Sequence, residues 1–200
     1  MSESCFHLDR QDGSRILRLH SADGTNQLTR ACVISLTAAI AELAHQPHPL
    51  IIAGNAKFFS AGADLKEIAA LTGPRAYEFS KTGQELMQSV EQFPAPVYAA
   101  LSGYCMGGGL DLALACHRRI ASPGALFGHR GAALGLITGW GGTQRLPQLV
   151  GQSVALKMFI AAEIITGARA FEIGLVDALA DDPVAEALRR IASRRGSGIP

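Results

Sequence analysis

Two short loops carry the residue types that can stabilise negative charge on a carbonyl oxygen. The first is Phe58-Phe59-Ser60-Ala61-Gly62-Ala63-Asp64-Leu65-Lys66-Glu67, and the second is Gly103-Tyr104-Cys105-Met106-Gly107-Gly108-Gly109-Leu110-Asp111-Leu112. Small residues at such junctions leave main-chain N–H groups unshielded. Two N–H groups from separate loops, aimed at one point, can hold a thioester carbonyl oxygen as it becomes an enolate, with about 3 kcal/mol at stake per donor. A helix starting after Gly107 adds positive potential from its N-terminus. Taken alone, a glycine triplet is equally well a tight turn or a close-packing device. No Gly-Lys-Ser/Thr follows the triplet, which excludes a phosphate-binding loop, and Gly107-Gly108-Gly109 does not fit the G-x-G-x-x-G dinucleotide pattern.

The side chains nearby in sequence that could move protons or hold charge are Asp111, His129 and Arg130. A histidine can give or take a proton near neutral pH. An arginine can hold a substrate carboxylate. Plainer roles stand beside these: Asp111 orienting the helix after the glycines, and His129 with Arg130 in a surface or subunit-interface ion pair. Trp140, the single Trp, either walls a pocket or fills a core or interface. Met106 and Phe58 read as packing residues.

The elements that must position these residues alternate between strand-like and helix-like patterns. Arg15 to Leu19 alternates as a half-buried strand would. Ala31 to Leu43 puts Val33, Leu36, Ile40 and Leu43 on one helical face, with Thr29 as N-cap. Leu50 to Ala53 is a short apolar run closed by Gly54 and Asn55, fitting a buried strand. Arg75 to Gln92 reads as a helix with Phe79, Gly83, Leu86 and Val90 on one stripe, ended by Pro94 and Pro96. Val97 to Leu101 is a second buried strand, leading through the glycines into a helix that reaches Cys116. Arg119 to Ser122, Leu126-Phe127 and Leu175-Val176-Asp177 are short strand candidates, and the remainder is mostly helical. Strands alternating with helices predict an α/β layered architecture. Arg189, Arg190, Arg194 and Arg195, followed by Gly-Ser-Gly-Ile-Pro, read as a fraying helix that ends in a flexible, solvated tail over 194–200.

Bulk properties narrow the function classes. The chain has 200 residues, 48% hydrophobic, with a formal net charge of +1. That suits one substantial globular core and disfavours a nucleic-acid partner, which usually selects a strongly basic surface. No apolar run has the length of a membrane span, and the polar stretch Met1 to Arg10 does not read as a secretory signal. Cys5, Cys32, Cys105 and Cys116 form no C-x-x-C pair and no metal-ligand spacing, so all four are expected to be reduced thiols in a cytoplasmic protein. Cys32 and Cys116 lie in apolar stretches and read as packing residues.

Four segments, FFSAGADLKE, GYCMGGGLDLALAC, GLITGWGGTQRLPQLVG and ITGARAFEIGLVDAL, resemble the signature segments of the enoyl-CoA hydratase/isomerase (crotonase) superfamily, in that family's order and spacing. The match runs from about Arg15 to Ala180. The resemblance implies a single crotonase-like domain over residues 1–200, an α/β spiral of ββα turns with short C-terminal helices. It also implies a homotrimer or dimer of trimers, and a substrate carried on coenzyme A with no separate cofactor. The oxyanion hole carries over to the backbone N–H groups of Ala63 and Gly108. Ala61, Ala63 and Leu65 then line the coenzyme A path, and Lys57 or Lys66 meets a phosphate, unless those lysines are only solvated surface.

The match breaks at the acids. Hydratases of this family hold one water between two glutamates. The first falls where this chain has Asp111, whose carboxylate stands about 1–1.5 Å further back. Misplacement on that scale costs on the order of 100-fold. The second falls at Gly131, in Phe127-Gly128-His129-Arg130-Gly131, where there is no side chain. The dienoyl-CoA isomerase subgroup also has an Asp after the glycines, but its two further acids fall at Gly131 and Gly139. The expected catalytic pair is therefore Asp111 with His129, and the expected pocket residues are Arg130 and Trp140. Ordinary two-glutamate hydration is not expected. Open alternatives are a carboxyacyl-CoA decarboxylase and a non-catalytic acyl-CoA-binding scaffold. Relatives continue for several helices beyond GLVDAL, so the acyl pocket is expected to be open, completed by another subunit, or absent.

Overall fold

A computed structural model describes residues 4–196. β1 (Phe6–Gln11) and β2 (Ser14–Leu19) form an antiparallel hairpin. Its two-residue tip, Asp12-Gly13, has φ of 50° and 69°, the double positive φ that matches hairpin twist. Next come β3 (Gln27–Leu28), α1 (Arg30–Ala44), β4 (Leu50–Ala53), β5 (Phe58–Ser60), β6 (Gly62–Ala63), α2 (Leu65–Ala69) and α3 (Gly73–Glu91). They are followed by β7 (Val97–Leu101), β8 (Tyr104–Met106), α4 (Gly108–Ala115), β9 (Arg118–Ala121), β10 (Leu126–Gly128) and a 3₁₀ turn at Arg130–Leu134. The chain continues with α5 (Gly142–Val150), α6 (Gln152–Ile160), β11 (Ile165–Thr166), α7 (Gly167–Glu172), β12 (Ala178–Leu179) and α8 (Pro183–Gly196).

Successive turns each give one strand to each of two sheets. One sheet has the order β1-β2-β4-β7-β9-β12 and the other β11-β10-β8-β5, and β3 pairs with β6 in a separate two-stranded sheet. Within the first, β2 to β12 run parallel. This is the expected spiral of ββα turns.

The reasons are local. Thr29 caps α1 by accepting from the Cys32 N–H at 3.2 Å, and Cys32, Val33, Leu36, Ile40 and Leu43 are its buried stripe. α3 begins at Gly73 with Pro74 in its first turn, where a missing N–H costs nothing. Its buried residues are Gly83, Leu86, Met87 and Val90.

β2 is buried along nearly its whole length rather than half-buried. Leu17 and Leu19 join the main core with Ile52 and Leu101. Ile16 faces the opposite way, into a second cluster with Ile51, Tyr98, Ile120 and Ile191. Helix α8 supplies Ile191 and Ala187 and so covers the face that alternation alone leaves open to water.

Two expectations are corrected. Leu175-Val176-Asp177 is a loop, and the strand starts one residue later at Ala178. The Leu175 and Val176 amides donate to the Ala170 carbonyl at the end of α7, and Gly174 has φ of 77°. This closing turn occupies the donors that a strand would need. The second correction concerns the thiols. Cys5 and Cys32 form a disulfide with Cα atoms 5.6 Å apart, while Cys105 and Cys116 are free and buried. Pairing β1 with β2 carries Cys5 over the first turn of α1, within bridging range. The reduced-thiol ground for a cytoplasmic location is lost for this pair. Among the described residues no helix is long and apolar enough to cross a membrane. The tail expected over 194–200 begins inside α8, and 197–200 lie outside the described residues.

Candidate active site

The two glycine-rich loops meet backbone to backbone, and polar side chains that sequence reasoning did not single out shape the first of them. Asn55 Oδ1 accepts from the Lys57 and Phe58 amides at 2.9 and 2.8 Å. Asn26 Nδ2 donates to the Phe58 and Phe59 carbonyls at 2.9 and 3.2 Å. Ser60 Oγ donates to the Asn26 carbonyl at 2.7 Å and accepts from the Gly62 amide at 3.0 Å. Asn26 has φ of 53°, a conformation that asparagine tolerates better than most residues. An Asn so close to a small-residue loop was the available signal.

Contact between the loops is tight enough to exclude a side chain. A Cβ on Gly62, which has φ of 93°, would lie 2.6 Å from the Met106 carbonyl oxygen and 3.0 Å from the Gly108 nitrogen. A Cβ on Gly108 would lie 3.3 Å from the Ala63 nitrogen. The amides of Ala63 and Gly108 are thus neighbours. The Gly107 amide donates to the Gly128 carbonyl at 2.9 Å, whereas Gly108 opens α4, where first-turn amides have no partner within the helix.

Asp111 lies in the first turn of α4 and is completely buried. Thr138 donates its hydroxyl to Oδ2. Oδ1 has no hydrogen-bond partner and faces Nε2 of His129 at 3.6 Å, and that Nε2 is likewise buried and unpartnered. Gly142, first residue of α5, makes room: a Cβ there would collide with Oδ1 and sit 3.1 Å from Cε1 of His129. Burial pushes the Asp111 carboxyl up to about 7, against the opposing pull of the Thr138 hydroxyl, the Arg145 charge and the Gly142 amide. Burial also pushes His129 down to about 4. Its ring lies 5.0 Å from that of Phe159 on α6. The surface ion-pair alternative does not hold for His129, whose side chain is 4% exposed.

These groups open onto a cavity of about 340 Å³. Ala61, Ala63, Leu65, Gly108, Asp111, His129, Arg130 and Trp140 all line it. Neither Lys57 nor Lys66 does. Lys57 is exposed, with Nζ 5.9 Å from the centroid of the Phe58 ring, and Lys66 is exposed at the start of α2. Arg130 is exposed at the rim with no ion-pair partner among the described residues. Trp140 is both pocket wall and core: it is 3% exposed and its ring lies 5.3 Å from that of Phe79. Gly131 and Gly139 also line the cavity, but a Cβ on Gly131 would lie 3.0 Å from the Leu136 carbonyl oxygen. Asp111 is the one carboxylate among the lining residues. Thr138 was missed in the sequence, where nothing marks a threonine as facing an acid.

Comparison with known proteins adds to this geometry. A family model described as enoyl-CoA hydratase/isomerase matches residues 10–196. A probable enoyl-CoA hydratase of Bacillus subtilis is 44% identical over 154 residues, 76% of this chain and 60% of that protein. The crotonyl-CoA hydratase of Syntrophomonas wolfei is 34% identical over 191 residues, 94% of this chain and 74% of that protein. Among solved structures, Pseudomonas aeruginosa DspI matches with a TM-score of 0.91 at 33% identity, covering 96% of this chain and 80% of that one. The enoyl-CoA hydratase of Bacillus anthracis matches with a TM-score of 0.87 at 32% identity, covering 94% and 77%. The chain thus spans 60% of the Bacillus subtilis relative's length.

Proposed function

This chain belongs to the enoyl-CoA hydratase/isomerase family, and from that premise we propose that it moves protons on acyl-CoA thioesters through an enolate, with Asp111 as its acid-base group. In this reading the thioester oxygen accepts from the Ala63 and Gly108 amides, and the Asp111 carboxylate removes the α-proton. The electron pair of the broken C–H bond passes to the oxygen, where two fixed donors stabilise it. Asp111 then returns the proton at the same or a conjugated carbon. Coenzyme A enters only as part of the substrate, along Ala61, Ala63 and Leu65. The working form is a homotrimer or dimer of trimers.

The observation that carries this reading is the single carboxylate. Asp111 is the one acid lining the cavity, and Gly131 and Gly139 offer none. Water addition across a double bond needs one group to take a proton from water and another to give one to carbon. Proton transfer on the substrate needs only one. A carboxyl titrating near neutral pH suits that role, because it can both take and return a proton.

The test compares two reactions on the purified protein. In deuterium oxide, a saturated acyl-CoA is expected to exchange its α-protons, and Asp111→Asn to abolish that exchange. Crotonyl-CoA is expected to hydrate at least about 100-fold more slowly than it would with a correctly spaced acid pair. Hydration at an ordinary hydratase rate sinks the single-acid reading.

Arg130 favours a second reading, a carboxyacyl-CoA decarboxylase, because it is an unpaired cation at the cavity rim. The bond to the carboxyl carbon breaks, CO2 leaves, and its electron pair enters the same enolate. Release of CO2 from a malonyl-type thioester, lost in Arg130→Gln, distinguishes this reaction from isomerisation.

A further inference from the structure

Asp111 and His129 meet through two buried atoms that both lack hydrogen-bond partners. Oδ1 and Nε2 are both buried, both unsatisfied, and 3.6 Å apart. Buried polar atoms without partners are uncommon, and two facing each other are a hydrogen bond not quite closed. We propose that His129 is the positioning residue of this site, donating Nε2–H to Oδ1 so that Asp111 is held as a carboxylate with a fixed orientation. This rests on the reading of Asp111 as the acid-base group and assigns a role to the residue beside it.

The hydrogen-bond inventory sets the direction of the bond. Thr138 already donates to Oδ2. A second donor at Oδ1 completes a two-sided clamp, leaving one lone pair on each oxygen for the substrate proton. The proposal takes the neutral tautomer with its proton on Nε2, the nitrogen that faces Oδ1. Burial keeps the ring neutral down to acid pH, so it acts as a dipolar donor rather than as a cation. The ring has a packed seat: the Phe159 ring lies on one side and the side-chain-free Gly142 on another.

The other groups facing this pair are few. Arg145 of α5 acts on Asp111 from a distance and is itself paired with Glu91 of α3 at 2.7 Å. Cys105 of β8 feels the carboxylate but stays a thiol, its titration driven far up by burial. Arg130 follows His129 in sequence but is exposed at the rim. The Gly142 amide at the head of α5 also pulls on the carboxylate, but neither it nor these groups make a hydrogen bond of ordinary geometry to Oδ1.

A donor to the ionised form lowers a carboxyl's pKa, and its loss raises it. The experiment is the pH profile of α-proton exchange on the intact chain, with circular dichroism and melting temperature to verify folding. His129→Phe is expected to move the acid limb up by about one pH unit, an approximately tenfold loss below the limb, while leaving the thioester KM in place. His129→Gln, which places an amide donor near the same point, is expected to return the limb toward its original position. Should the Phe variant not fold, His129→Leu takes its place. A folded Phe or Leu variant whose limb stays put or moves down overturns the proposal. So does a Gln variant that behaves like Phe. If Asp111→Asn abolishes exchange while the His129 limb is unmoved, only this inference falls; if Asp111→Asn leaves exchange intact, both fall.

Discussion

The indole of Trp140 occupies the space that a methyl group on Gly108 would fill. A Cβ built on Gly108 runs into the six-membered ring, and a Cβ on Gly83 of α3 runs into its five-membered side. One tryptophan thus wedges between two helices at glycines, and one of those glycines supplies a proposed oxyanion amide. Packing and the proposed oxyanion amide share one contact here.

Gly108→Ala is therefore expected to cost about 1–3 kcal/mol of stability through overpacking. It should also lower exchange on the order of 100-fold, because one oxyanion donor is displaced. Trp140→Leu in the same chain should recover most of the stability, measured by urea melts of both single variants and the double. Additive losses would show that the collision does not occur.

The pH dependence of stability follows from two opposed shifts. Asp111 rises from 3.8 to about 7, so between those values the folded state holds a proton that the unfolded chain has released, and stability falls as pH rises. His129 drops from 6.5 to about 4, so between those values the unfolded chain holds the extra proton, and stability rises with pH. In the wild type the two cancel from about pH 4 to 6.5: folding moves one proton from imidazole to carboxyl. Asp111→Asn should unmask the rising slope, about 3 kcal/mol across its window, and His129→Phe the falling one, about 4 kcal/mol. Urea melts between pH 4.5 and 7.5 check this, and parallel slopes in all three proteins would refute it.

The Cys5–Cys32 bridge closes a loop with a sequence separation of 27. Its reduction is expected to lower stability by about 3–4 kcal/mol. Melting temperature with and without a thiol reductant measures this. Cys5→Ser should match the reduced protein and lose its sensitivity to reductant. An oxidised wild type with two titratable thiols more than Cys105 and Cys116 account for would disprove the bridge.

Ligand binding supplies a further check that is independent of chemistry. An acyl-CoA at about 100 times its Kd should add about 2.7 kcal/mol of stability. No rise in melting temperature at saturating acyl-CoA would end the thioester proposal for this cavity. Arg130→Gln should weaken a carboxyacyl-CoA more than a plain acyl-CoA if Arg130 receives the carboxylate.

The sequence by itself determined the features that arise within a few residues. Thr29 at the head of an apolar 3.6-residue stripe specifies α1, and the run Leu50 to Ala53 specifies a buried strand, because capping and periodicity are local physics. The glycine loops were legible for the same reason, since only a small residue suits backbone that must be approached closely. β1 was not legible despite the Asp12-Gly13 signal at its end. It is an edge strand with exposed side chains, so it carries no apolar alternation to read.

Tertiary structure alone decided which distant residues share a site. Thr138 reaches Asp111 across 27 positions, Cys5 reaches Cys32, and Gly142 leaves room for the Asp111 carboxylate. Periodicity tells which face of an element is apolar but not which other element will lie against it. The protonation of Asp111 belongs to this second class: a carboxyl's pKa follows from the desolvation, donors and charges around it, and these come from burial, α5 and the Thr138 loop only once the spiral has closed.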